Sequence, residues 1–204
     1  MAKKKTTKKK TTKKKTAKKK TTKKKVTKKK TTKKKATKKK ATKKAAPVAA
    51  LKLEGKKAPT FSLKDKDSKN FGLSDFGPKY TVLFFYPKDS TPGCTIESVS
   101  FSKNADKFKK MGVSVVGISG GDEKTKTKFV EKQNLKIPML SDTDFKVSKK
   151  FKAYGEKSFM GRKYMGIFRY TFVLDKNQKI VKVFDKVKPP VHVQEVLDYL
   201  KEIK

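Results

Sequence analysis

A single cysteine, Cys94, and a single histidine, His192, occur in the 204-residue sequence. That scarcity excludes an intrachain disulfide, a Cys-x-x-Cys metal or redox motif and a multi-histidine metal site. Tryptophan is absent, and only two of the 58 basic residues, Arg162 and Arg169, are arginines. No apolar run approaches the ~18 residues that a membrane span needs, and no apolar segment of a secretory signal follows the basic start. The sequence therefore reads as a soluble, intracellular protein, in a reducing compartment that suits an unpaired thiol. Acidic residues are scarce too: there are 18, and none lies in residues 1–45.

That first stretch is where the charge is concentrated. It holds 26 lysines, which leaves +14 of the net +40 for the other 159 residues. From Lys3 to Thr42 it consists of eight copies of a five-residue unit, three lysines followed by two residues drawn from Thr, Ala and Val. Neither a 2-residue nor a 3.6-residue period yields an apolar face, and like charges repel at every spacing, so 1–45 is expected to be a disordered tail. Lysines at this density neutralise phosphates and release condensed counterions, which makes Lys3–Lys44 the expected contact for nucleic acid or another polyanion. No aromatic ring is present there on which an unpaired base could stack. In composition the tail resembles the lysine-rich tails of linker histones and of basic bacterial nucleoid proteins.

Residues 46–50 break the repeat and read as a linker, after which 51–204 has the size of one domain. Thr81–Tyr86 is uncharged, β-branched and aromatic, the pattern of a fully buried strand. Beyond Cys94, the residues Phe101, Ala105 and Phe108 recur at helical spacing, so a helix is expected from Thr95 onward. Val113–Ser119 is a second buried strand, followed by a polar helix from about Glu123 to Asn134. Ile137–Asp142 reads as the edge of the next strand, and Val147, Phe151 and Tyr154 as one face of a short amphipathic helix. Tyr170–Asp175 and Lys179–Phe184 flank a turn and read as an antiparallel hairpin. The last helix places Val193, Val196, Leu197, Leu200 and Ile203 on one face. Strand and helix alternate as in α/β folds, here around a central mixed sheet. His192 stands among prolines and charges and is expected to face solvent, with no catalytic role.

The chemistry centres on Tyr86-Pro87-Lys88-Asp89-Ser90-Thr91-Pro92-Gly93-Cys94-Thr95-Ile96-Glu97. A thiol at a helix start lies near unpaired backbone N–H groups and the positive end of the helix dipole, which favour the thiolate. Pro87, Thr91, Pro92 and Gly93 build a rigid polar loop before it. Pro87-x-x-x-Thr91-x-x-Cys94 matches the active-site motif of the peroxiredoxins. The fuller run resembles their bacterioferritin comigratory protein, or peroxiredoxin Q, branch, and Ala58-Pro59-Thr60-Phe61 resembles the opening of the domain, where a small hairpin follows.

The resemblance implies a thioredoxin-like fold with helices on both faces of the sheet and a thiol peroxidase that needs no cofactor and no metal. It assigns Cys94 as the nucleophile, with Thr91 as a hydroxyl partner for the peroxide and Pro87 excluding water and fixing the strand exit. Backbone N–H groups of Gly93 and Cys94 would be further donors. Gly166–Asp175 is similar to the segment in which peroxiredoxins place their active-site arginine, which selects Arg169; Glu97 would orient it from the next helical turn. Many members of the branch carry a second, resolving cysteine five residues after the first, where this sequence has Val99. A one-cysteine cycle is implied, with hydrogen peroxide or an alkyl hydroperoxide as oxidant and an external thioredoxin, glutaredoxin or small thiol as reductant. The branch is often monomeric. An alternative from another class is a nucleoid- or nucleus-associated protein using this domain as a redox sensor or scaffold.

Overall fold

The computed structural model describes residues 49–203; the lysine repeat and most of the linker lie outside the described residues. After a 3₁₀ turn at Leu51–Leu53, the strands in chain order are β1 (Ser62–Lys64), β2 (Asn70–Gly72), β3 (Tyr80–Phe85), β4 (Val113–Ser119), β5 (Met139–Ser141), β6 (Tyr154–Phe159), β7 (Arg162–Ile167), β8 (Tyr170–Asp175) and β9 (Ile180–Phe184). The helices are α1 (Pro92–Lys103), α2 (Ala105–Lys110), α3 (Glu123–Gln133), α4 (Lys146–Lys150) and α5 (His192–Glu202). Seven strands form one sheet in the order β2-β1-β5-β4-β3-β8-β9, and β6 pairs only with β7.

The central position of β3 explains its composition. It pairs in parallel with β4 and antiparallel with β8 over six residue pairs each, so every residue from Thr81 to Phe85 is buried. Alternate side chains then enter two cores. Leu83 and Phe85 join Val116, Ile118, Phe151 and Phe172, with α4 on that side through Val147. Val82, Phe84 and Tyr86 join Phe101 of α1, Phe108 of α2, Phe129 of α3 and Val196 and Leu200 of α5. This is a central mixed sheet flanked by helices, in the thioredoxin-like arrangement.

Two expectations need correction. His192 is fully buried rather than solvent-facing. Its ring lies edge-on to Phe101 and Phe184, its Nε2 is 2.7 Å from Thr171 Oγ1, and burial pushes its pKa down to about 4. Its place on the buried face of α5, four residues before Val196, outweighs the prolines around it. Tyr154 is not on a helix: α4 stops at Lys150, Lys152 takes a left-handed φ of 55°, and Tyr154 opens β6. The sequence carries no clear pattern for the β6–β7 hairpin. Its tip, Met160-Gly161, has φ of 50° and 80°, which is the backbone of a type I′ turn; Asn-Gly or Asp-Gly would have signalled it, but methionine does not.

Candidate active site

The sheet register brings the end of β3 beside the start of β8. Phe85 pairs with Tyr170, Phe84 with Thr171 and Val82 with Val173. Continuing that alternation by one step beyond the ladder puts Tyr86 opposite Arg169, both on the face covered by α1. The loop 87–91 then turns the chain into α1, whose first helical residue is Pro92. Proline is well placed there, because its missing N–H would have no intrahelical partner.

Cys94 lies in the first turn of α1 and is 1% exposed. Arg169 Nη2 donates to its Sγ at 3.1 Å. The same guanidinium donates through Nη1 to Glu97 Oε2, one helical turn further on. A Cβ at Gly93 would lie 3.4 Å from Arg169 Nη2 and 3.7 Å from Pro189 Cγ, ordinary van der Waals contact, so the guanidinium passes close by without requiring a glycine there. One planar group thus spans thiol and carboxylate, a fork geometry that a lysine ammonium does not have.

The Thr91 hydroxyl donates to the Lys88 carbonyl at 3.0 Å. Since its hydrogen is used within the loop, the oxygen is left as an acceptor. Thr91 is the N-cap of α1 but makes no side-chain capping bond. Pro87 is half-buried at the exit of β3. Arg162, the other arginine, is exposed in β7.

Glu97 is fully buried, and burial pushes its carboxyl up to about 7 against the attraction of Arg169. Burial would lower the Arg169 pKa, yet the charges of Glu97 and Cys94 and their hydrogen bonds raise it. The sign for Glu97 follows from linkage: the folded state holds this proton more tightly than the unfolded state, where the carboxyl titrates near its ordinary 4.5. Its contribution to stability is fully present below 4.5 and is lost as pH rises through 7. Relative to Glu97→Gln, the wild-type protein is expected to lose on the order of 2 kcal/mol between pH 5 and 8. Urea midpoints of the two proteins across that range measure it, and a difference that does not vary with pH would exclude it.

Sequence reasoning missed a second cation at this site. Lys157 of β6 is half-buried, its Nζ donates to the Ile167 carbonyl at 2.9 Å, and it lies over the Tyr164 and Phe168 rings. Burial and then the Arg169 charge lower its pKa, while Cys94 opposes them. The β6–β7 pairing that carries it had no clear sequence signal.

A buried thiol at a helix start, held by a guanidinium on a thioredoxin-like sheet, defines the class of thiol-dependent peroxidases. A sequence profile described as the AhpC/TSA family matches residues 54–183. The chain belongs to that family, and within it to the peroxiredoxins of the Bcp/peroxiredoxin Q branch. It is 44% identical over 148 residues to peroxiredoxin Bcp of Escherichia coli, covering 72% of this chain and 95% of that one. The peroxiredoxin Bcp of Bacillus subtilis is 40% identical over 149 residues, covering 73% and 95%. Among solved structures, the bacterioferritin comigratory protein of Xanthomonas campestris, described for its alkyl peroxide reduction activity, matches with a TM-score of 0.65 and 33% identity over 70% of this chain and 90% of that one. Peroxidoxin BcpB of Mycobacterium tuberculosis matches with a TM-score of 0.66 and 31% identity over 74% and 98%. The enzyme is a thiol peroxidase, acting on a peroxide and using a thiol reductant. Among the described residues no helix is long and apolar enough to cross a membrane.

Proposed function

We propose that this chain reduces hydrogen peroxide and organic hydroperoxides by a one-cysteine cycle, as an intracellular monomer that its tail, residues 1–45, holds beside nucleic acid. The observation that carries the catalytic part is the Arg169 guanidinium, hydrogen-bonded at once to Cys94 Sγ and to buried Glu97. The Cys94 thiolate attacks one peroxide oxygen, the O–O bond breaks, and the other oxygen leaves as hydroxide or alkoxide and takes up a proton. Arg169 stabilises the negative charge as it moves from sulfur to the departing oxygen. Thr91 accepts the hydrogen bond of the peroxide O–H, and Pro87 keeps water from the loop. Glu97 holds the guanidinium in place.

The product is a sulfenic acid on the only cysteine in the sequence. An external thiol condenses with it to a mixed disulfide and releases water; a second thiol then frees Cys94 as its own disulfide forms. Val99, at the position of the resolving cysteine of relatives, has no part in this cycle. The reading of the tail rests on its lysine repeat, whose binding to phosphate polymers falls steeply with salt.

One experiment addresses both parts. Full-length protein and protein lacking residues 1–45 are treated with one equivalent of peroxide and trapped with dimedone, then run against DNA in a salt series. Equal adducts on Cys94 and loss of salt-sensitive DNA retardation in the truncated protein are expected. An absent adduct would overturn the cycle, and a shallow salt dependence would overturn the phosphate-driven tether.

A further inference from the structure

Beneath the catalytic loop lies a buried ion pair that takes no part in the steps above. Lys126 of α3 is fully buried, with Nζ 3.0 Å from each carboxylate oxygen of Asp89. It also donates to the Tyr86 hydroxyl at 3.0 Å and to the Ser119 hydroxyl. The Tyr86 hydroxyl in turn donates to Asp89 Oδ1, and the Ser119 hydroxyl to Oδ2 at 3.1 Å. Among these four side chains every charge has a partner. They come from the exit of β3, the loop, the end of β4 and α3, so the loop is fastened to three separate elements through Asp89. Gly121 provides the space, since a Cβ at that position would lie 2.0 Å from Asp89 Oδ2.

The start of α1, on the other side of the loop, is fastened instead by Arg169, through Cys94 and Glu97. Ser90 takes a left-handed φ of 60°, Pro92 is exposed, and the helix has no side-chain cap. The two halves of the catalytic cycle make opposing demands on this segment. Peroxide must meet Cys94, Thr91 and Arg169 at hydrogen-bond distances, which requires a fixed loop. An external thiol must reach a sulfur that is 1% exposed, which requires the loop and the first turn of α1 to open.

We propose that Lys126 is a positioning residue: with Asp89 it latches the 87–91 loop in the peroxide-competent arrangement, and the strength of this latch sets oxidation of Cys94 against access of the reducing thiol. The inference rests on the one-cysteine cycle proposed above. Burial lowers the Lys126 pKa while Asp89 and, more weakly, Cys94 oppose it, in keeping with an ammonium close enough to the sulfur to feel its charge.

The test measures the two half-reactions separately, with hydrogen peroxide as oxidant and dithiothreitol as reductant of the pre-formed sulfenic acid. Lys126→Met is expected to slow oxidation about tenfold, the loss associated with one strong buried hydrogen bond, and to speed reduction about threefold as the open population grows. Tyr86→Phe and Ser119→Ala each remove one hydroxyl, with its bonds to Lys126 and Asp89, and leave the ion pair itself in place. They are expected to move both rates in the same senses by less, which keeps the test decisive if Lys126→Met does not fold. A purely structural role would slow both steps or change neither, and either result overturns the latch. If the wild-type protein itself forms no sulfenic acid, the catalytic cycle fails instead, which is a distinguishable result.

Discussion

Cys94→Ser is expected to abolish peroxide consumption, leaving only the background rate of the assay. A serine alcohol is not ionised near neutral pH and has no reactivity towards an O–O bond comparable with that of a thiolate. The change is nearly isosteric in a site where the side chain packs with Phe84, Tyr86 and Phe101, so the fold is expected to survive it. Peroxide loss measured with dithiothreitol as donor, beside a thermal melt, separates the chemistry from unfolding. Turnover near the wild-type rate in a folded serine variant would remove Cys94 from the mechanism.

The second large effect is expected at Arg169. Removing one pre-oriented donor of this kind costs a factor on the order of 10² in rate, or about 2.7 kcal/mol of transition-state stabilisation. Arg169→Met is expected to lose that much in kcat/KM for peroxide. Arg169→Lys should fall between it and the wild type, because the charge is kept but the two-pronged contact to Cys94 and Glu97 is not. Arg169→Met also leaves the Glu97 carboxyl buried without its partner. The double variant Arg169→Met/Glu97→Leu removes both polar groups, so a rate defect that persists in it belongs to the lost guanidinium and not to an unpaired acid. Recovery of the wild-type rate in that variant would refute a catalytic role.

The parts of this molecule that were legible in the sequence are those where burial dictates composition. Thr81–Tyr86 and Val113–Ser119 stand out because central strands covered on both faces exclude charge, and the structure has β3 at Tyr80–Phe85 and β4 at Val113–Ser119. The motif at Pro87–Cys94 was legible through its likeness to a family, and it points to the sulfur but not to what surrounds it. Residues that act through distant contacts were harder to see. Lys126 is one of four lysines in α3, and composition does not separate it from Lys124, Lys128 or Lys132. Its helical phase does: it lies three residues before Phe129 and four before Val130, on the buried side. The same test applies to His192 and Val196. The β6–β7 hairpin had no such periodicity, because both its strands are largely exposed and neither joins the main sheet.

The pairing of β3 with β8 has a consequence for the constancy of the site. Arg169 stands one residue before β8, so the ladder of peptide groups fixes where the guanidinium lies, while the loop 87–91 and the first turn of α1 carry the sulfur to it. Sliding that ladder by one rung would carry Arg169 about 3.4 Å along the sheet and turn it to the opposite side. Intermediate offsets are not available to a hydrogen-bonded ladder. The guanidinium is therefore stepped into place by the backbone, and the sulfur alone is left to follow the loop that carries it.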